Sequence, residues 1–192
     1  MRIIAGELKG RKIIFPEKKN TRPLRDFVKE SIFNIIENSN KFEIQIKGSK
    51  ILDLFSGSGS FGLECISRGA DKVIFFENYS YTLKILEKNI SELEVSNKCE
   101  IFDHDSFDIF SKKKILEKKF DLIFIDPPYQ EKNINLLIEN IIKKKILNKK
   151  GVIIIHRHKK DEIKITTKLR ILDTRFYGCL LYTSPSPRDR IS

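Results

Sequence analysis

The sequence predicts an α/β protein, a doubly wound and mostly parallel sheet with helices on both faces. A small N-terminal extension of one β-hairpin and one helix precedes the sheet. Three observations predict this. From Lys50 onward, apolar runs of strand length alternate with stretches of helical period. The first of those runs is followed by a glycine-rich turn, Gly57-Ser-Gly59-Ser-Phe-Gly62, of the kind that joins a strand to a helix. The first 45 residues follow a different pattern, two short β-like runs and one amphipathic segment.

The elements follow in order. Arg2–Ala5 and Arg11–Phe15 flank a turn at Glu7–Gly10 and read as a hairpin. Pro16–Arg22 is polar and Lys-rich, a loop. Leu24, Phe27, Val28, Ile32, Ile35 and Ile36 recur at helical spacing, so Pro23–Asn38 is a helix with proline at its start, where no N–H is needed. Ile51–Phe55 is a buried strand, Ser60–Arg68 a helix ended by Gly69, and Lys72–Phe76 a strand. Tyr79–Leu93 is a helix, Lys98–Phe102 a strand and Ser106–Glu117 a helix. Phe120–Ile125, Glu131–Leu147 and Val152–His156 repeat the strand, helix, strand order. Ile163–Thr167 is a further helix or strand, and Leu169–Tyr177 a final strand. Cys179–Ser192, with two prolines and little periodicity, resembles translated adapter read-through; a disordered, non-native tail is expected there. The expected units are therefore 1–45, 46–178 and 179–192.

Composition bounds the function. At 192 residues and 40% apolar content the chain can bury a sizeable core. No apolar run approaches the roughly 20 residues of a membrane span, and the N-terminus lacks a signal-peptide core, so a cytoplasmic protein without membrane contact is expected. Cys65, Cys99 and Cys179 are widely spaced and offer neither a disulfide framework nor a zinc pattern. His156 and His158 would share one side of a strand but lack a third ligand, and His104 stands apart; no metal is expected, and the histidines read as solvated. The net charge of +11 suggests a polyanionic partner. Lysine, rich in AT codons, supplies 27 of the 37 basic residues, so composition alone could raise the charge. Its distribution is more telling: residues 1–30 hold nine Lys or Arg against four acids, a net +5.

Two motifs carry chemistry. In Asp53-Leu-Phe-Ser-Gly57-Ser-Gly59-Ser-Phe-Gly62 the glycines permit a tight turn and close approach of a ligand to the backbone. Glu77 ends the second strand, where an acid can take ribose hydroxyls. No Gly-Lys-Ser/Thr follows, so this is not a phosphate-binding P-loop. Asp53 would repel a pyrophosphate but would welcome a sulfonium and an ammonium, which points to S-adenosylmethionine. The second motif is Asp126-Pro127-Pro128-Tyr129, closing a buried strand. Two prolines cannot extend a sheet, and they hold the Asp126 side chain and the Pro127 carbonyl as fixed acceptors at its carboxyl edge. Tyr129 adds a flat face. Two acceptors and a ring suit a planar group bearing an amine.

Together these motifs resemble the S-adenosylmethionine-dependent methyltransferases that modify exocyclic or amide nitrogens. MRIIAGELKGRKI, TRPLRDFVKESIFNII, ILDLFSGSGSFGLECISRGA and FDLIFIDPPY further resemble the bacterial RsmD family, from Met1 to about Gly178. The sequence departs from that family where Leu24 and Arg25 follow Arg22-Pro23 in place of the usual Thr, and where His156 follows Val152–Ile155 in place of a frequent acid. The resemblance implies a Rossmann-like methyltransferase sheet and a cytoplasmic enzyme, working as a monomer, that methylates N2 of a guanine in 16S ribosomal RNA or in a small-subunit assembly intermediate. It implies Asp126, Pro127 and Tyr129 as catalytic residues. Asp53, Ser56, Gly57 and Gly59 would line the methionine part of the cofactor, Glu77 would hold the ribose, and Asp105 with Ser106 would lie beside the adenine. Arg2, Lys9, Arg11, Lys12, Arg22 and Arg25 would bind phosphates and set the register. DNA adenine-N6 and protein glutamine-N5 methylation use the same kind of motif and remain open, as does a nucleic-acid-binding module without activity.

Overall fold

Parallel pairing begins at β1 (Lys50–Leu54), whose apolar residues alternate between the two faces of the sheet. In the computed structural model, which describes residues 1–16, 24, 26–38, 43–128, 131–157, 169–175 and 180–185, β1 lies between β2 (Lys72–Phe76) and β4 (Phe120–Ile125), parallel to both. β3 (Cys99–Phe102) extends the sheet beyond β2, and β5 (Leu147–His156) extends it beyond β4. The full order is β3-β2-β1-β4-β5-β7-β6, with β7 (Leu180–Pro185) antiparallel to both β5 and β6 (Leu169–Arg175).

The strand period sorts the core into two layers. Ile51, Val73, Phe75, Leu122, Phe124, Val152 and Ile154 face one way, against α1 (Asp26–Asn38), α2 (Ser60–Ser67) and α3 (Ser80–Glu92). Leu52, Leu54, Ile74, Phe76, Ile123, Ile125, Ile153 and Ile155 face the other way, against α4 (Lys113–Leu116) and α5 (Ile134–Lys143). Helices thus cover both faces, as the sequence predicts. Strand order reverses between β1 and β4, where open α/β sheets bind ligands.

The N-terminal segment shares the first layer. Ile3 and Ile13 are buried with Ile32, Phe33 and Ile51. Arg2 pairs antiparallel with Lys12, and Gly10 N–H donates to the Ile3 carbonyl, so the expected hairpin is present. It is fastened to α2. The Glu64 carboxylate, wholly buried, accepts from Ile4 N–H (2.8 Å) and Ala5 N–H (3.0 Å). It also meets Lys29 Nζ from α1 at 3.3 Å and Arg68 Nε at 3.0 Å.

Several boundaries differ from the sequence reading. Ser106–Glu117 is not one helix: Ser106–Ser111 is a 3-10 turn, and Lys112 takes an extended ψ of 96° before α4. α5 is shorter than Glu131–Leu147, because Lys145 adopts the left-handed conformation that ends a helix (φ 55°). β5 begins five residues before Val152, and its polar Asn148–Lys150 segment falls where the register with β4 shifts. Leu180–Pro185, expected in a disordered tail, forms β7 inside the sheet. Leu169–Arg175 is accordingly the edge strand rather than the final one. Ile163–Thr167 and residues 186–192 lie outside the described residues. No described helix is long and apolar enough to cross a membrane.

Candidate active site

The carboxyl ends of β1, β2 and β4 border a cavity of about 510 Å³. Its lining includes Asp53, Ser56 and Gly57 from the turn after β1, Glu77 from the end of β2, Ser106 after β3, and Asp126 with Pro127 after β4. Seven residues expected at the site thus meet around one space. Gly59 and Asp105, expected there too, do not line it. Tyr129, Arg22 and Arg25 lie outside the described residues.

Each glycine of the turn has its own reason. Gly57 has φ 55°, and a Cβ there would meet nothing within 4 Å, so its surface is open to a ligand. Gly59 has φ 79°, and a Cβ would stand 2.4 Å from Leu86 Cδ1, so its smallness serves the packing of α3. Gly62 would drive a Cβ into the Phe75 ring at 2.3 Å, so it lets α2 lie close on β2. Phe55 also takes a left-handed φ of 59°, which turns the chain sharply out of β1.

The carboxylates are held by backbone. Asp53 Oδ2 accepts from Gly62 N–H at 3.0 Å, and Asp53 is only 1% exposed. Burial pushes its carboxyl well above the usual range; the Gly62 bond opposes this, while Asp126 and Glu77 push it further up. Glu77 accepts through both oxygens, from Gly57 N–H (2.7 Å) and Tyr79 N–H (2.8 Å), which clamps the turn to the end of β2. The Ser56 hydroxyl is engaged with the Asp53 and Phe76 carbonyls, so it braces the strand ends. Ser106 Oγ accepts from Phe55 N–H at 3.0 Å. Asp105 caps the following turn at Phe107 N–H and receives Asn78 Nδ2 at 3.1 Å; it is Asn78 that lines the cavity.

Asp126 N–H donates to the Leu54 carbonyl (3.4 Å), so the Pro-Pro corner is anchored to β1. His156 corrects the sequence reading of a solvated histidine: it is buried, and its Nδ1 lies 2.8 Å from Asp126 Oδ1. Arg157 reaches the Pro128 and Glu131 carbonyls. His104 is exposed, and His158 lies outside the described residues. No cluster of three or more metal-ligating side chains occurs among the described residues. Phe15, Pro16 and Leu24 also line the cavity, so the basic N-terminal segment borders its mouth. Arg2, Lys9, Arg11 and Lys12 are exposed, though Arg11 Nη2 donates to the Glu92 carbonyl at the end of α3.

The family model described as conserved hypothetical protein 95 matches residues 1–184. The chain belongs to this family, the RsmD family of methyltransferases. It is 38% identical over 183 residues to ribosomal RNA small subunit methyltransferase D of Buchnera aphidicola from Acyrthosiphon pisum, covering 94% of this chain and 91% of that one. A Haemophilus influenzae protein of the same name is 39% identical over 145 residues, covering 73% of this chain and 72% of its own. Among solved structures, Escherichia coli yhhF, a methyltransferase by its given description, superposes with a TM-score of 0.79 at 22% identity, covering 97% of this chain and 98% of that one. The RsmD-family fold is thus a Rossmann-like methyltransferase sheet, as the sequence predicts.

Proposed function

We propose that this chain transfers a methyl group from S-adenosylmethionine to the exocyclic N2 amine of a guanine in small-subunit (16S) ribosomal RNA. The observation that carries the reading is one cavity with two differently built sides. On one side are Asp53, Gly57 and Glu77; on the other are Asp126 and Pro127. The first side fits the cofactor by its donor set. Glu77 has unused lone pairs for ribose hydroxyls, Gly57 leaves room for close approach, and Asp53 suits a positive charge. When bound, S-adenosylmethionine supplies a methyl group on a positively charged sulfur.

The chain's residues act on the amine. A guanine amine is a poor nucleophile because its lone pair is delocalised into the ring. Asp126 and the Pro127 carbonyl accept its hydrogens, localise that lone pair and aim it. Positioning of this kind supplies much of a rate enhancement. Tyr129 stacks on the base, which has to be flipped out or already unpaired. Residues 1–45 are read as the RNA-binding unit and 46–178 as the methyltransferase unit. Arg2, Lys9, Arg11, Lys12, Arg22 and Arg25 meet phosphates, on naked RNA or an assembly intermediate, and a single chain without a metal ion suffices.

Asp126 tests the reading. Asp126→Ala leaves S-adenosylmethionine affinity nearly intact and slows single-turnover methylation at least about a hundredfold, since one well-placed polar group in a closed site contributes about 2.7–4 kcal/mol. Asp126→Asn keeps the carbonyl acceptor and retains part of the rate. A near wild-type rate in Asp126→Ala makes the corner structural and overturns the mechanism.

A further inference from the structure

We propose that His156 is a positioning residue for the reaction, fixing the rotation of the Asp126 carboxylate so that one oxygen faces the substrate amine. The inference rests on the methyltransferase reading of Asp126 and adds a residue to it.

Register brings the two together. β4 and β5 pair Phe124 with Ile154 and Ile125 with Ile155, so the next step sets position 126 beside position 156. Strand alternation puts both side chains on the face of Phe124 and Ile154, the face that also carries Asp53. His156 is 5% exposed and Asp126 is 24% exposed, and both border the cavity, the imidazole the more deeply buried of the two.

The chemistry fixes the roles. A carboxylate oxygen 2.8 Å from Nδ1 accepts, so Nδ1 carries the hydrogen and donates. Nε2 is buried with no hydrogen-bond partner, which leaves Asp126 as the side chain's one hydrogen-bond partner among the described residues. The Asp126 backbone is held by the Leu54 carbonyl and the proline that follows. Its terminal torsion, a broad sp³–sp² rotor, has no such restraint of its own. The His156 bond supplies it: Oδ1 is engaged, and Oδ2 is left for the amine hydrogen. Next in sequence, Arg157 donates to the Glu131 carbonyl (2.8 Å) and the Pro128 carbonyl (3.4 Å), bracketing positions 129 and 130. The end of β5 thus grips the corner at two places.

The experiment uses the full chain, 16S ribosomal RNA or isolated small subunits, and S-adenosylmethionine labelled on the methyl group. His156→Leu slows the single-turnover rate about tenfold to a hundredfold, the cost of a misaligned reacting group. Cofactor Kd by calorimetry and KM for RNA stay within about twofold, because the imidazole's hydrogen bond goes to Asp126. His156→Asn, which can place an amide donor near Nδ1, recovers much of the rate; His156→Gln, whose donor falls nearer Nε2, does not. In an Asp126→Ala background, His156→Leu adds no further loss. A His156→Leu rate within about twofold of wild type overturns the proposal. So does a full, additive loss in the Asp126→Ala background. If His156→Leu does not fold, the Asn and Gln pair decides, and equal rates for the two overturn it. Absence of transfer by the wild-type chain strikes the proposed function itself, and ¹⁵N shifts of the His156 ring in wild type and Asp126→Asn then still report whether Nδ1 donates to position 126.

Discussion

Asp53 sits at the point where binding and ionisation meet. Its carboxyl is held well above the usual range, first by burial, so the cofactor-free site works against the charged form there. A cationic ligand favours the carboxylate, so binding S-adenosylmethionine releases a proton. Affinity therefore rises with pH, by at most about tenfold per unit, and levels off once Asp53 is ionised in the free protein. Titration calorimetry across pH, in two buffers of different ionisation heat, checks this, and Asp53→Asn flattens the profile. The sign for stability is opposite. A raised folded-state pKa gives stability that is complete below the unfolded value of about 3.9 and is lost as pH rises toward the folded one. Asp53→Asn therefore raises the Tm of the cofactor-free protein at neutral pH while weakening cofactor binding; a lowered Tm with retained affinity contradicts both parts. Glu77 gives a sharper test than deletion alone. Glu77→Ala costs roughly 1.5–3 kcal/mol of cofactor binding. Glu77→Gln loses nearly as much, because its amide hydrogens face either Gly57 N–H or Tyr79 N–H, each of which needs an acceptor. That Asp53, Glu77 and Asp126 border one space could be read in the sequence, because each stands at or near the carboxyl end of an apolar run of strand length. His156 could not, since only the β4–β5 register shows that it stands beside Asp126.

Helix α2 is eight residues long and buried throughout, and it carries both the glycine turn's far end and Glu64. A carboxylate wholly removed from water is tolerable only with its donors in place, and Glu64 has four: two N-terminal amides, Lys29 and Arg68. Burial lowers the Lys29 ammonium pKa, and the Glu64 charge pulls it back up. Lys29→Met leaves that carboxylate one cation short and destabilises the fold by about 3–5 kcal/mol, measured by denaturant unfolding. Hydrogen exchange at Ile4 and Ala5 rises with it, since their acceptor is loosened; protected amides there would mean that the hairpin is held by its apolar residues alone. The alternation of strands and helices was legible because period 2 and period 3.6 differ plainly over five to thirteen residues. The break in Ser106–Leu116 was not, because its apolar spacing suits a 3-10 turn and a helix equally. Glu64 escaped notice for a related reason. In SFGLECISR it looks like a solvent-facing acid, and two of its four partners, the amides of Ile4 and Ala5, lie some 60 residues away in sequence.

At the scale of the molecule, the hairpin that carries the exposed Arg2, Lys9, Arg11 and Lys12 shares the sheet's core, and Phe15 and Pro16 at its end line the cavity. Deleting the segment would unpair Glu64 and expose Ile3 and Ile13, so charge has to be removed without removing backbone. Replacing Arg2, Lys9 and Lys12 with Gln lowers the salt dependence of RNA binding by about two to three in log–log slope, if each meets a phosphate. Cofactor binding is unaffected. An unchanged slope would mean that the lysine-rich composition reflects codon usage and not contact. The clasp on the hairpin also has a meaning in time. A ribosome releases residues 1–15 before it has made Glu64, Ser67 or Asn89, the side chains that receive the amides of Ile4, Ala5, Leu8 and Ile14. The hairpin is thus among the later stretches to find its place, and during translation it waits, basic and unclasped, until Asn89 has followed it out.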